Sequence, residues 1–210
     1  NPTVTLSRPE DPIEKIITTD GRLVHHKEVE IRDPLTKEVV PIGTDGELWT
    51  RGPSLFLGYH KRPDLTKESM DEYGWFYTGD RGRLDPEGYL TITGRTKDII
   101  IRGGENFPVK ETEDLLGTHP SIAEVAIVAM PDPRLQEKAC AFVSLRPGAK
   151  FEFEDMIHFL ETQGIAKRRY PEHLEVLPNL PKTPSGKIKK RVLRQYIAEK
   201  VGLPPVESGA

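Results

Sequence analysis

Cysteine is almost absent from this 210-residue sequence, since Cys140 in the apolar stretch KACAFVSL is the only one. A single cysteine excludes a framework of internal disulfides and a cysteine metal site, and it favours a reducing compartment. We therefore expect a cytoplasmic protein. The six histidines are scattered, and the adjacent pair His25–His26 has no partner at metal-ligand spacing. No metal site is predicted within this chain.

Long hydrophobic runs are also missing. No apolar stretch approaches the roughly 20 residues that a membrane-spanning helix needs. The first residues, NPTVTLSRPEDPIEKIITTDG, lack a basic head followed by an apolar run, so we expect no signal peptide. The formal net charge of -3 argues against general affinity for nucleic acid, although residues 182–200 are basic. With 36% hydrophobic and 30% charged residues, the composition is that of a soluble globular protein.

The pattern up to about Arg95 is typical of strands. KEVEIRD and GELWTRG carry alternating, β-branched or aromatic residues and are bounded by Gly, Asp or Pro. RGRLDPEGYLTITG predicts a hairpin with a type I turn over residues 85–88, because proline fits the second position of such a turn. RPDLTKESM predicts a helical turn capped by Asp64.

From Asp98 onward, strands and helices are mixed. DIIIRGGENF, IAEVAIVAMPD, KACAFVSLRPG and EHLEVL predict strands, and FEFEDMIHFLETQG predicts a helix. PVKETEDLLGTH predicts a helix with Pro108 at its first position. A last helix is expected over about 188–201, with one apolar side formed by Ile188, Val192, Tyr196 and Ile197. The pattern changes within GRTKD, which predicts a boundary between domains 1–96 and 97–203, followed by a tail over 204–210.

Polar groups at restrained positions are the candidates for function. In YTGD, Asp80 would lie on a Thr-Gly turn between strands, where two carboxylate oxygens suit a vicinal diol such as a ribose. A turn-forming aspartate is the structural alternative. In GRTKD, Arg95 offers a planar fork of donors for hydroxyls or phosphate, and Lys97 could lie in a hinge. A polar interdomain linker would give the same residues.

Two glycine-containing loops complete the set of candidates. Gly103 and Gly104 in RGGENF allow close approach of a ligand or positive φ, although such a pair on its own is most often just a hairpin turn. No GxxxxGK[ST] phosphate loop and no convincing Ser/His/Asp set occur. Lys187 ends the loop LPKTPSGK. At ~4 Å from a phosphate oxygen, with an effective dielectric constant near 20, it would contribute roughly 4 kcal/mol. A solvated cation ahead of a helix is the alternative.

Four motifs occur in a characteristic order: GELWTRGPSLFLGYHKRPDLT, GWFYTGD, GYLTITGRTKDIIIRGGENFPVKETED and LPKTPSGKIKKRVLR. Together they closely resemble the C-terminal part of the adenylate-forming enzymes, the AMP-binding superfamily of acyl-CoA synthetases, nonribosomal peptide adenylation domains and beetle luciferases. The GGEN loop and PKTPSGKIKKRVLR are most similar to fatty or aromatic acyl-CoA ligases. The resemblance extends from about Val29 to Lys200.

The resemblance implies a two-step reaction. A carboxylate first attacks the α-phosphate of ATP to form acyl-AMP and pyrophosphate, and the thiol of CoA then displaces AMP. In the first step, Asp80 would accept both ribose hydroxyls, Arg95 would bind the same ribose, and Lys187 would be the catalytic lysine.

Between the steps, the resemblance implies that the C-terminal domain rotates by a large angle. Lys97 would be the hinge, a position at which many relatives have aspartate. Gly103 and Gly104 would then line the pantetheine tunnel.

The resemblance also implies an α+β fold in two parts. Residues 1–96 would be a β-rich, barrel-like remnant of the large AMP-binding domain, and 97–203 a small mobile domain with a short sheet flanked by helices. The phosphate loop, the glutamate that helps to hold Mg²⁺ and most of the acyl pocket have no match in this sequence. We therefore expect a fragment that is inactive without the missing N-terminal domain. A stand-alone nucleotide-binding or protein-interaction module is the alternative.

The loop PKTPSGK further resembles the acetylation site of bacterial acyl-CoA synthetases. This implies that Lys187 is a substrate of a protein acetyltransferase and a deacetylase. Acetylation would remove its charge and should stop adenylation.

Overall fold

The computed structural model describes residues 3–206 of the chain. The chain divides into two compact units, Asn1–Thr96 and Lys97–Ala210. Each unit has its own sheet and its own hydrophobic core. Across residues 3–206, no helix combines the length and the apolar character that crossing a membrane requires.

The first unit is built on a four-stranded antiparallel sheet. Its elements are β1 (Thr5–Leu6), α1 (Ile13–Thr18), β2 (Arg22–Leu23), β3 (Glu28–Arg32), β4 (Gly46–Arg51), α2 (Pro63–Ser69), β5 (Phe76–Leu84) and β6 (Leu90–Arg95). The order in the sheet is β3-β4-β5-β6, and β1 pairs with β2 separately. Val29 and Ile31 are two residues apart on β3 and so share one face, where Leu48 and Leu90 complete a small core.

This sheet is open, so the expected barrel-like closure is not formed. In the described part of the chain, no ladder joins β3 to β6. Short segments cover both outer edges instead. Val40 N donates to Ile31 O over 2.9 Å beside β3, and Asp20 N donates to Leu90 O over 2.7 Å beside β6. These bonds satisfy edge groups that a closed barrel would have paired.

A tight turn over residues 85–88 joins β5 to β6 and confirms the predicted hairpin. Gly88 N donates to Asp85 O over 3.0 Å. The Asp85 carboxylate also accepts the backbone N–H of Glu87 and of Tyr89, each over 2.9 Å. Pro86 occupies the second position of the turn, where its restricted φ fits. The local sequence is sufficient to form this feature.

The second unit has a five-stranded sheet with helices on both faces. Its elements are β7 (Ile99–Arg102), β8 (Glu105–Pro108), α3 (Lys110–Gly117), β9 (Ile122–Asp132), β10 (Gln136–Leu145), α4 (Phe153–Thr162), β11 (His173–Val176) and α5 (Lys190–Val201). β10 pairs with β9 along one side, and with β11 and β7 along the other. Of the predicted tail 204–210, residues 207–210 lie outside the described residues.

β10 separates two cores. Ala139, Ala141 and Val143 contribute to a core with α3 and α4, which we name the α3/α4 layer. Cys140 and Phe142 contribute to a core with α5, which we name the α5 layer. Alternate side chains of a strand point to opposite faces, so the unbroken apolar run KACAFVSL fits a strand that is covered on both sides. The predicted mixed α+β architecture is confirmed.

Two helix starts differ from expectation. Pro108 does not begin α3, because it is the last residue of β8 and faces Ile99 in the ladder with β7. Asp64 does not cap α2, whose N-cap is Arg62 and makes no side-chain capping bond. Asp64 accepts hydrogen bonds from the Arg62 guanidinium instead, the Nε bond being 2.9 Å long.

The apolar side of α5 also differs from expectation. The helix begins at Lys190, and its buried residues include Leu193 and Ile197, whereas Val192 and Tyr196 are each 41% exposed. Ile188 lies before the helix in a bridge with Lys182 and packs against the α5 layer, and Ile197 is buried in that layer. The predicted apolar side is therefore right for Ile188 and Ile197 and wrong for Val192 and Tyr196.

Candidate functional site

Asp80 and Arg95 lie opposite each other on β5 and β6. Arg95 Nε donates to Asp80 Oδ1 over 2.8 Å, and the two side chains are 62% and 34% exposed, respectively. A pair so open to solvent stabilises the fold by at most about 1 kcal/mol. The pair therefore contributes little to holding the sheet, and both side chains reach solvent.

Thr78 to Asp80 lie inside β5, so the predicted turn between strands is wrong. Gly79 has φ +76°, and the ladder with β4 shifts register at this level. Thr78 Oγ1 donates to Leu48 O over 2.8 Å and accepts the Asp80 N–H over 3.0 Å. Such an irregularity bends a strand and redirects its side chains, and it replaces the turn as the feature that positions Asp80.

The residues after Thr96 are tied to α5. Thr96–Asp98 form a short 3₁₀ turn at the boundary between the units. Arg194 Nη2 donates to Lys97 O and to Asp98 Oδ1, both over 2.8 Å. Lys190 lies one turn earlier on α5, and its Nζ is 3.3 Å from Asp98 Oδ2. Both oxygens of the Asp98 carboxylate therefore face cations of the same helix.

Glu113 of α3 belongs to the same cluster and was missed by the sequence reasoning. Its Oε1 lies 2.8 Å from Lys190 Nζ and accepts the Ile127 N–H over 2.5 Å. Burial raises the pKa of Glu113, and the nearby Lys190 ammonium opposes that rise. The four-residue spacing of Lys190 and Arg194 indicates that both reach one side of α5. Which carboxylates they meet depends on tertiary packing.

Gly103 and Gly104 form the two-residue turn between β7 and β8, with φ +57° and +85°. Arg102 and Glu105 pair across it. A Cβ on Gly104 would meet nothing within 4 Å, and one on Gly103 would reach Leu135 Cδ2 at 3.4 Å. The turn therefore needs glycine for its backbone conformation rather than for space. The hairpin alternative is observed, and the pantetheine tunnel stays a prediction.

A cleft of about 280 Å³ opens beside this turn. Arg102 is fixed in place, because its guanidinium donates to Tyr170 O over 3.2 Å and also contacts Glu172 and the Arg168 carbonyl. Two of the three guanidinium groups that line the cleft are paired with carboxylates, Arg102 with Glu172 and Arg169 with Glu111. Its lining residues are Arg102, Glu105, Asn106, Phe107, Pro108, Arg168 and Arg169.

Lys187 follows a loop whose backbone closes on itself. Thr183 N donates to Lys187 O over 2.8 Å, and Gly186 N donates to Thr183 O over 2.9 Å. Thr183 Oγ1 accepts the Lys187 N–H over 3.1 Å and shares a hydrogen bond of 2.9 Å with Ser185 Oγ. Gly186 has φ +84°, which few other residues adopt. The loop conformation is therefore closely restrained.

The side chain of Lys187 is exposed and, among residues 3–206, makes no ion pair within 4 Å. Lys182 of the same loop contrasts with it, since its Nζ lies 2.5 Å from Glu124 Oε1. The loop thus holds its shape through backbone and hydroxyl bonds that do not involve the Lys187 amine. An amine presented in this way can meet a ligand or remain solvated.

The structure brings together some of the predicted residues. Asp80 contacts Arg95 directly, and Lys97 is joined to α5, the helix that follows the Lys187 loop. Gly103 directly follows β7, the strand that starts just after Asp98. Within the described residues, no group of three or more His, Cys, Asp or Glu side chains could hold a metal ion.

Two family models match the sequence. The model of the AMP-binding enzymes matches residues 2–60, and the model of the AMP-binding enzyme C-terminal domain matches residues 111–187. A medium-chain fatty-acid–CoA ligase of Escherichia coli (strain K12) is 44% identical over 193 residues, covering 91% of this chain and 34% of the ligase. The probable acyl-activating enzyme 4 of Arabidopsis thaliana is 47% identical over 172 residues, covering 80% of this chain and 31% of that protein.

Solved structures are similar as well. The o-succinylbenzoate CoA synthetase of Bacillus subtilis, in complex with its acyl-adenylate intermediate, has a TM-score of 0.83 at 28% identity, covering 92% of this chain and 38% of the synthetase. ATP-bound MatB from Rhodopseudomonas palustris has a TM-score of 0.80 at 32% identity, covering 88% of this chain and 36% of MatB. The chain spans about a third of the length of the curated relatives it matches. It belongs to the adenylate-forming enzyme superfamily, and it corresponds to the C-terminal portion of that superfamily's members.

Proposed function

We propose that this chain is the C-terminal portion of an ATP-dependent acyl-CoA synthetase that acts on a fatty or aromatic carboxylic acid in the cytoplasm. A carboxylate oxygen attacks the α-phosphorus of ATP, and pyrophosphate leaves. The sulfur of CoA then attacks the acyl carbon, AMP leaves with the electron pair of the broken C–O bond, and the thiol proton passes to solvent. The observation that carries the proposal is the exposed Lys187 amine on its restrained loop.

In the adenylation step, Lys187 neutralises charge on the acyl carboxylate and the phosphate oxygens. Adenylyl transfer depends mainly on positioning and electrostatic stabilisation, which a single ammonium on a stiff loop can provide. Asp80 accepts the two ribose hydroxyls, and Arg95 binds the same ribose. The exposure of both side chains supports these roles.

In the thioester step, the face of the second unit that carries the Gly103–Gly104 turn faces the active site in place of the Lys187 loop. Residues 97–203 act as a mobile domain that rotates at Lys97, and Gly103 and Gly104 line the path of the pantetheine arm. CoA carries several phosphates, and Arg168, which lines the cleft beside the Gly103–Gly104 turn, offers a guanidinium to a phosphate-bearing thiol.

The remaining parts of the active site belong to the large AMP-binding domain, of which residues 1–96 are the end. The proposed partner is therefore the N-terminal domain of the same protein, with its phosphate loop, acyl pocket and Mg²⁺ ligands. The 210-residue chain should be inactive when mixed with ATP, CoA and a panel of carboxylic acids. AMP release above the protein-free blank would contradict this.

The central test is Lys187→Ala in the protein that joins this chain to its N-terminal domain. Loss of roughly 4 kcal/mol of attraction should slow adenylation about 10³-fold, whereas thioester formation from supplied acyl-AMP should be unchanged. Lys189→Ala removes another exposed lysine of the same segment and should affect neither step. Equal losses in both half-reactions would show that the assigned role is wrong. Nucleotide binding without any turnover in either protein would favour the stand-alone binding module.

Lys187 is also the proposed site of regulation by acetylation. Its exposure makes the amine accessible, and neutralising it should stop adenylation for the same electrostatic reason. Peptide mass analysis after treatment with a protein acetyltransferase should locate the acetyl group on Lys187, and deacetylase treatment should restore activity. Modification confined to other lysines would exclude this mode of control.

A further inference from the structure

One arginine holds the polypeptide immediately after the boundary between the two units. Arg194 Nη2 donates to Lys97 O and to Asp98 Oδ1. The side chains of Arg194 and Asp98 are only 14% and 21% exposed. The bond to the Asp98 carboxylate is partly buried, whereas the bond to Lys97 O lies at the surface.

The bond to Lys97 O has a specific geometric effect. That oxygen belongs to the peptide group between Lys97 and Asp98, and a peptide group is planar. When Arg194 holds this oxygen together with the Asp98 carboxylate, the whole peptide plane is fixed against α5. The backbone torsions of Asp98, which follow this peptide plane, cannot turn without breaking these bonds. The torsions that precede it, up to ψ of Lys97, lie outside the restraint.

Lys190 and Glu113 make further contacts that reinforce the restraint on Asp98. Lys190 Nζ lies 3.3 Å from Asp98 Oδ2 and 2.8 Å from Glu113 Oε1. Asp98 is thus held at both oxygens by consecutive turns of α5, and Glu113 joins the cluster to α3. Since α5 starts three residues after Lys187, the chain that leads into the second unit and the chain that leaves the Lys187 loop are fixed to the same helix.

We propose that Arg194 is a positioning residue that confines the pivot between the two units to the torsions preceding the Lys97 carbonyl. Rotation at that point then moves α5 and the Lys187 loop together with the rest of the second unit as one body. The inference deepens the proposed function and rests on it in one respect, namely that Lys97 is the hinge. Both bonds come from Nη2 at the tip of the side chain, and a lysine at position 194 carries its nitrogen on a shorter chain, so it could not make the same pair of contacts.

The restraint can be tested on the 210-residue chain without any assay of activity. Spin labels on Glu38→Cys and Lys150→Cys place one exposed probe in each unit, and the native Cys140 is fully buried. Pulsed electron spin resonance then measures the distribution of distances between the labels. Arg194→Gln should broaden that distribution. Arg191→Gln, an exposed change on the same helix, should leave it unchanged.

The outcomes separate this inference from the proposed function. An unchanged distribution in a folded Arg194→Gln chain would overturn the restraint, even if the melting temperature fell, because stability alone would then account for the residue. If Arg194→Gln fails to fold, Arg194→Lys replaces it and should also broaden the distribution; a distribution like that of the native chain would overturn the restraint. In the protein with its N-terminal domain, kcat should fall with KM for ATP unchanged. A broadened distribution in a protein that lacks synthetase activity would refute the proposed function and retain the restraint.

Discussion

Gly186→Ala tests whether the stiffness of the Lys187 loop matters. Gly186 has φ +84°, and a Cβ added there would meet no atom within 4 Å. Steric contact therefore adds nothing, and the substitution costs only the left-handed backbone conformation, about 1–2 kcal/mol for an L-residue. The loop can relieve this strain by breaking the bond from Gly186 N to Thr183 O and opening. A cost of this size lowers the ratio of closed to open loop about 5- to 30-fold.

Two measurements should report this change. In the 210-residue chain, the Lys187 amide that donates to Thr183 Oγ1 should exchange its hydrogen faster by a similar factor. In the protein with its N-terminal domain, the adenylation rate should fall by no more than this factor and stay well above that of Lys187→Ala. Gly186→Asn should recover part of both losses, because asparagine tolerates positive φ better than alanine.

The controls decide whether the loss of adenylation comes from the loop conformation or from another effect of the substitution. Equal adenylation by the Ala variant and the native protein would refute the link between loop stiffness and catalysis. A defect in Gly186→Asn as large as in Gly186→Ala would show that the cause is not the backbone conformation.

Other predictions concern the two cores and a buried ion pair. Burial raises the pKa of the Cys140 thiol, so it should not react with a thiol reagent until the chain is unfolded; rapid labelling of the folded chain would contradict this. The Arg22 guanidinium holds the pKa of Asp11 at about 2 in the folded chain. A carboxylate whose pKa is lowered by folding stabilises the fold at pH values above the pKa of the unfolded chain, and this stabilisation is lost as the pH falls toward 2. Arg22→Gln should therefore shift acid unfolding, followed by circular dichroism, to higher pH, and an unmoved midpoint would exclude this linkage. Leu160→Ala removes a fully buried side chain from the α3/α4 layer and should cost about 2–5 kcal/mol in urea unfolding, whereas a change below 1 kcal/mol would mean that the core collapses around the gap.

Features set by local chemistry could be predicted from the sequence. The turn over residues 85–88 follows from one aspartate, one proline and one glycine in a fixed order. The apolar runs of β9 and β10 predict strands that are covered on both faces, and the structure has them in that place. The ordered motifs predict the superfamily, which the comparisons confirm.

Features that depend on register or on distant partners could not be predicted. The irregularity at Gly79 comes from pairing with β4, and the buried side of α5 comes from packing against the sheet. Asp98, Glu113 and Lys190 are far apart in sequence, so no local pattern indicates that they meet. The roles of Asp80, Arg95, Lys97, Gly103, Gly104 and Lys187 remain predictions.

Alternate side chains of β10 point into two different cores, so the two faces of its sheet have different uses in protein engineering. Phe142 and Leu193 lie in the α5 layer, beneath the helix that follows Lys187, so changes in their volume should alter how that lysine is presented. Ala141 and Leu160 lie in the α3/α4 layer, so changes there should act mainly on resistance to heat. A single inserted residue in β10 would exchange the two sets of side chains and disturb both properties at once.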